Sequence, residues 1–214
     1  MTYLNWKTEI ITDFSDKKIE SMYDRGYVFT RLDKGVMNQT RSFRVDMSKF
    51  ELSSENRRIL KKNADIEVVS ESIPYAGYTW QIGKLAKDFY EKFGDNVFTA
   101  NKIKEVMTDA KKSNFNELLV FSREKEPVGY AICYENDSII HYSYPFYDLA
   151  ASKDIGLGMM LKLLEWAKNN AVKYVYLGSL QRPTDTYKLQ FKGGEWFDGE
   201  RWQSDYTELK EILK

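Results

Sequence analysis

The strongest constraint on this chain is a change of hydrophobic period part-way along it. Residues 79–93 carry Ile82, Leu85, Ala86, Phe89 and Phe93 at helical spacing and stop at Gly94. Thr99 caps a second helix with Ile103, Val106, Met107 and Ala110 on one face. The period then shortens to that of strands, at 118–123, 128–134 and 139–144, with turns at 124–127 and 135–138. A helix follows from Gly156 to about Asn170, striped by Met159, Met160, Leu163, Leu164, Trp166 and Ala167, and then a strand at 174–177. This order predicts an α/β (α+β) fold with a mixed sheet and helices on its faces. Strand–helix–strand crossovers are right-handed, so strands 139–144 and 174–177 are expected to run parallel.

Upstream, 14–24 reads as a helix with Ser15 as N-cap and Gly26 beyond its end. Residues 27–45 read as a hairpin broken at Asp33-Lys34-Gly35, and Ser53 or Ser54 caps a helix through 55–62. A strand-like IEVV at 66–69 leads to punctuation at Pro74 and Gly77. The expected division is a small N-terminal subdomain, residues 1–73, and a larger domain, 74–214.

Scarce residues exclude several chemistries. The single cysteine, Cys133, forbids an intramolecular disulfide, and with the single histidine, His141, it leaves at most two Cys/His ligands where structural zinc takes four. No metal site is expected, and any imidazole-based nucleophile system would depend on His141 alone. Lys plus Arg equals Asp plus Glu at 32 each, so no whole-molecule basic signature marks a nucleic-acid binder. No apolar run reaches the ~18 residues of a membrane span, and the first residues lack a signal-peptide core. The expected location is cytoplasmic, with no membrane partner.

Five features carry candidate chemistry. Lys153, Gly156, Leu157 and Gly158 join a strand to the long helix, where backbone N–H groups and the helix dipole favour a phosphate; plain helix-start glycines are the alternative. Tyr142, Tyr144, Pro145 and Tyr147 lead into Asp148, and Pro145 should end the strand or create a bulge there. A strand splaying from its parallel neighbour would open a slot at their carboxyl ends, with Gly178, Ser179 and Gln181 opposite; an ordinary strand end is the alternative. Cys133 pairs with Ile140 if the intervening loop has two or four residues, which turns His141 to the other face; a three-residue loop would set the two side by side, and structural roles for both are favoured over a dyad. Arg57, Arg58, Lys61 and Lys62 form one basic helix edge, either a solvated face or a phosphate contact. Finally, Lys188 could offer charge to a developing oxyanion and Tyr187 could relay a proton.

The glycine turn resembles the acyl-CoA-binding motif of GNAT N-acyltransferases, with Lys153 in the usual Gln/Arg position. Four stretches further resemble the arginyl- and leucyl-tRNA–protein transferases, built on the same fold. They are Asp24-Arg25-Gly26-Tyr27; Arg41 to Phe50 with Ser54 to Asn63; Ser143 to Asp148 with Gly158; and Tyr174 to Gly178 with Tyr187, Lys188 and Phe191. The family's clustered cysteines are missing, and Leu149 follows Asp148 where proline is common.

The resemblance implies a GNAT-like fold and transfer of an amino acid from tRNA to the N-terminal amine of a protein or peptide. No cofactor would be bound permanently. It further implies catalytic roles for Asp148, Tyr144, Tyr187 and Lys188, with Asp148 orienting the incoming ammonium. The tRNA end would contact the glycine turn, and its acceptor arm Arg57, Arg58, Lys61 and Lys62. An acetyl-CoA-dependent N-acetyltransferase and a non-catalytic binding module are the alternatives.

Overall fold

A computed structural model describes residues 4–94, 97–151 and 154–214. The chain runs β1 (Lys7–Ile10), α1 (Asp16–Asp24), β2 (Tyr27–Phe29), β3 (Val36–Gln39), β4 (Ser42–Asp46) and α2 (Ser54–Lys62). Next come β5 (Ile66–Ser72), α3 (Trp80–Glu91), α4 (Ala100–Thr108), β6 (Glu117–Arg123), β7 (Glu126–Glu135) and β8 (Ile139–Tyr147). The last elements are α5 (Ile155–Asn169), β9 (Tyr174–Ser179), a 3₁₀ helix (Pro183–Gln190), β10 (Gly194–Phe197), β11 (Trp202–Gln203) and α6 (Thr207–Ile212).

Helices begin where the sequence supplies a capping oxygen. Ser15 accepts from the Lys18 N–H and Thr99 from the Lys102 N–H. At α2 the exchange is reciprocal: Ser53 Oγ accepts from the Asn56 N–H, and Asn56 Oδ1 accepts from the Ser53 N–H. Each arrangement satisfies donors that the first turn leaves without intrahelical partners.

Eight strands form one mixed sheet in the order β11-β10-β4-β9-β8-β7-β6-β5, and β1-β3-β2 form a smaller one. The expected parallel pair is present, with Ile139, Ile140 and His141 of β8 opposite Tyr174, Val175 and Tyr176 of β9. The hairpin expected over 27–45 stops at Gln39. β2 and β3 pair with each other, but β4 crosses to the large sheet and lies between β10 and β9. Its five residues are all buried, which suits a central strand covered on both faces. Ladders of the large sheet therefore join strands from both sides of Pro74.

Each face of the sheet packs its own layer. Phe43, Leu119, Cys133, Ile140 and Tyr142 meet Ile59 of α2, Met159 and Leu163 of α5 and Leu209 of α6. On the other face Leu118, Tyr130, Ile132, Ile139 and Tyr176 meet α1, α3, α4 and the small sheet through Tyr23, Phe89 and Ile103. Fully burying each large apolar side chain contributes about 1.5–3 kcal/mol.

Candidate active site

The parallel ladder between β8 and β9 ends at His141 and Tyr176, although both strands continue. The cause lies in the pairing of β8 with β7. Ile132 lies opposite Tyr144 while Cys133 lies opposite Tyr142, so Ser143 is an inserted residue. Such a bulge bends its strand and reverses the alternation of side chains beyond it. Accordingly Tyr142 belongs to the α5 layer, whereas Tyr144 and Phe146 belong to the α3–α4 layer. Pro145 neither ends the strand nor forms the bulge: it pairs with Ala131, and β8 runs on to Tyr147. The Tyr90 hydroxyl donates to its carbonyl oxygen at 2.9 Å.

β9 leaves the gap through Gly178, whose φ of 77° is unfavourable for a side-chain-bearing residue. Asp185 Oδ2 then accepts from the Gln181 and Arg182 N–H groups, which winds the chain into the 3₁₀ helix. This turn brings Lys188 inward until it is only 7% exposed, with Nζ donating to the Ser179 carbonyl oxygen at 2.9 Å. Burial pushes the Lys188 pKa down to about 8, with Asp185 opposing and Arg182 adding to the shift. Its charge reaches His141, where burial first and Lys188 second push the imidazole pKa down to about 3. His141 is therefore neutral, and its Nδ1 lies 2.9 Å from the Tyr23 hydroxyl.

Three tyrosines share this end of the sheet. The Tyr142 hydroxyl is buried and has no hydrogen-bond partner among the described residues. Its pKa is raised, by burial foremost and also by neighbours that include Tyr187 and Tyr147. Tyr187 is 43% exposed overall, yet desolvation of its hydroxyl, with Asp185 and Tyr147 nearby, raises its pKa too. Tyr147 packs edge-on against Phe89 at 4.6 Å between centroids.

Other expected site residues are placed differently. Gly156, Leu157 and Gly158 lie inside α5 and do not form an open cradle. A Cβ on Gly156 would sit 2.5 Å from the Tyr147 hydroxyl oxygen, and one on Gly158 would sit 2.6 Å from Asn63 Cγ. These glycines admit close neighbours, and Leu157 packs at the edge of the α5 core. Lys153 lies outside the described residues. Asp148 is exposed, and its Oδ1 accepts from the Ala150 N–H at 2.8 Å in the turn after β8. Tyr144 is turned away by the bulge: its hydroxyl accepts from the Arg31 N–H, and its ring packs on Phe98 and Phe115. Gln181 anchors the N-terminal segment, donating to Thr40 Oγ1 and accepting from the Leu4 N–H.

The basic edge of α2 is engaged locally. Arg58 pairs with Glu55, Lys62 with Asp154, and Arg57 donates to the Leu52 carbonyl oxygen, while Lys61 is exposed. Cys133 and His141 lie on opposite faces, but in a register that places Cys133 across from Tyr142 and not Ile140. Two cations to which the sequence assigns no role, Lys92 and Arg182, stand against Phe93. They are far apart in the chain, and no local pattern announces their meeting.

Among solved structures, L-PGS from Bacillus licheniformis superposes with a TM-score of 0.50 at 16% identity, over 78% of this chain and 52% of that one. A GCN5-related glucosamine N-acetyltransferase region of a fungal multi-domain GH3 β-N-acetylglucosaminidase gives 0.49 at 11%, over 88% and 22%. FemX gives 0.47 at 8%, over 78% and 60%. Comparison with family models and with curated proteins gives no match. The chain spans about half the length of L-PGS. The large mixed sheet with its helical layers is a GNAT-like fold. Among the described residues no helix is long and apolar enough to cross a membrane.

Proposed function

We propose that this chain is an N-acyltransferase that takes an aminoacyl group from tRNA and passes it to the N-terminal amine of a protein or peptide. The observation that carries the reading is Lys188, a buried ammonium at the point where β8 and β9 part, hydrogen-bonded only to the Ser179 carbonyl oxygen among the described residues. In the reaction the acceptor nitrogen attacks the ester carbonyl, a C–N bond forms and the carbonyl oxygen gains negative charge. The C–O bond to the ribose then breaks, and the leaving oxygen takes up a proton while the nitrogen loses one. Such a donor is already activated, so positioning and stabilisation of the oxyanion are the main requirements.

Lys188, protonated at neutral pH, supplies a donor for that oxygen. The Tyr142 hydroxyl, without a partner among the described residues, is a second donor in the same region. Tyr187, whose pKa is raised, remains protonated and can deliver its proton to the leaving oxygen.

A second reading replaces the donor with an acyl-CoA. The neutralised edge of α2 favours it, because Arg58 and Lys62 already hold carboxylates. The deciding experiment mixes the protein with labelled aminoacyl-tRNAs or labelled acetyl-CoA and with peptides of differing N-terminal residue. Label reaching the peptide from aminoacyl-tRNA sustains the first reading. Label from acetyl-CoA alone replaces it with the second, and label from neither removes both.

A further inference from the structure

Two cations converge on one aromatic ring beside the gap. Lys92, just beyond α3, holds Nζ 3.5 Å from the Phe89 centroid, 4.9 Å from Phe93 and 5.2 Å from Tyr147. Arg182, from the turn after β9, holds its guanidinium carbon 5.1 Å from the Phe93 centroid. The two charges therefore lie within about 10 Å of each other, one Debye length at 0.1 M salt. The same Arg182 charge is felt by Lys188.

Neither cation has a carboxylate partner among the described residues, although the lysines beside them on α3 do: Lys84 pairs with Asp88 and Lys87 with Glu91. The nearest acidic group of the turn, Asp185, receives the Gln181 and Arg182 N–H groups. Phe93 is 42% exposed. Cation–π contact stabilises each charge modestly, but the two cations repel each other, and an incoming anion would relieve that repulsion. The start of α5, the other place suited to a phosphate, is by contrast occupied. Tyr147 covers Gly156, Asn63 covers Gly158, and Lys62 holds Asp154.

We infer that Lys92 and Arg182 bind a phosphate of a nucleotide-bearing acyl donor, with Phe93 offering its face to the adjoining base, in place of a phosphate site at the start of α5. The inference rests on the reading of the gap as an acyl-donor site. A guanidinium fork grips phosphate oxygens in pairs, a lysine adds a point charge, and an aromatic face accepts any base. Both candidate donors, aminoacyl-tRNA and acyl-CoA, carry phosphorylated adenosine, so the shared ligand chemistry is a phosphoadenosine.

The test measures binding of adenosine 3′,5′-bisphosphate, CoA and a 5′-phosphorylated CCA trinucleotide to the unaltered chain and to a Lys92→Gln/Arg182→Gln double variant. Melting temperature serves as the check on folding. The expected result is at least a tenfold loss of bisphosphate affinity at low salt, and a weaker dependence of the remaining affinity on ionic strength, since screening acts on the charges removed. Phe93→Ala should weaken the bisphosphate more than inorganic pyrophosphate. The CoA and trinucleotide arms distinguish the two sources of the nucleotide.

Undiminished bisphosphate affinity in the double variant overturns the inference. So does a loss confined to peptides with an acidic N-terminal residue, which would assign the cations to the acceptor. A double variant that loses nucleotide while the unaltered chain transfers no acyl group keeps this inference and removes the proposed function. Transfer by the unaltered chain with nucleotide affinity indifferent to both substitutions does the reverse.

Discussion

Lys188 reaches back over the turn that follows β9 and donates from Nζ to the Ser179 carbonyl oxygen at 2.9 Å. The bond holds an ammonium where two parallel strands have just separated. If that ammonium steadies the oxyanion, turnover should fall as pH rises through about 8, where Lys188 loses its proton. Lys188→Met should lower kcat by about 10²–10³-fold, with a much smaller change in donor affinity, and should abolish that alkaline limb. A pH–rate profile of both proteins checks this; a limb that persists in the variant assigns it to another group.

His141 should stay neutral until the protein unfolds in acid. Its folded pKa of about 3 lies below the ordinary 6.5, so the unfolded chain binds more protons between those values. The stability this group contributes is complete above pH 6.5 and is lost as pH falls towards 3, by as much as about 5 kcal/mol. Because His141 is the only histidine, its ring resonances can be followed without assignment ambiguity, and no titration should be seen near pH 6.5. His141→Phe should flatten the acid limb of the stability curve and leave the Tyr23 hydroxyl without this partner.

Gly158 of α5 lies against Asn63, the residue that ends α2. A methyl group there would meet the Asn63 side chain at 2.6 Å, and Asn63 is itself buried and donates to the Ile59 carbonyl oxygen. Gly158→Ala should destabilise the fold by about 1–3 kcal/mol despite the better helix propensity of alanine. Adding Asn63→Ala should recover part of that loss, which chemical denaturation of the single and double variants would show.

Arg44 lies between the rings of Tyr174 and Trp202, at 3.9 and 4.0 Å from their centroids, and bonds Glu195, Asp24 and the Tyr176 hydroxyl. Arg44→Met would leave the mostly buried Glu195 with only the exposed Lys49 and should lower stability by about 3 kcal/mol. Arg44→Lys should recover little, since a compact ammonium cannot stack as a planar fork does. Denaturant midpoints of the two variants measure the difference.

The sequence made the elements visible where periodicity alone decides them. The helices at Thr79 and Thr99, the three strands beyond Leu118 and the parallel pairing of Ile139 with Tyr174 all follow from local spacing and one rule of handedness. The destination of β4 is hidden, because the loose alternation from Tyr27 to Val45 breaks only at Asp33-Lys34-Gly35 and nothing local says that Ser42 starts a strand of another sheet. The bulge at Ser143 was equally hidden, being a property of pairing between two strands. Lys188 and Tyr187 could be picked out by residue type. A glycine in sequence does not distinguish room for a ligand from room for a neighbouring side chain, such as Tyr147 at Gly156 or Asn63 at Gly158.

The insertion of β4 between β9 and β10 also sets an order of assembly. Residues 42–46 leave the ribosome roughly 130 residues ahead of β9 and roughly 150 ahead of β10, a separation that makes the central ladder slow to close. Until then Phe43 and Val45 belong to an unpaired ribbon, the kind of exposed edge that invites intermolecular pairing. Nascent chains halted before Tyr174 should therefore be protease-sensitive at β4 and become protected only once Phe197 has emerged.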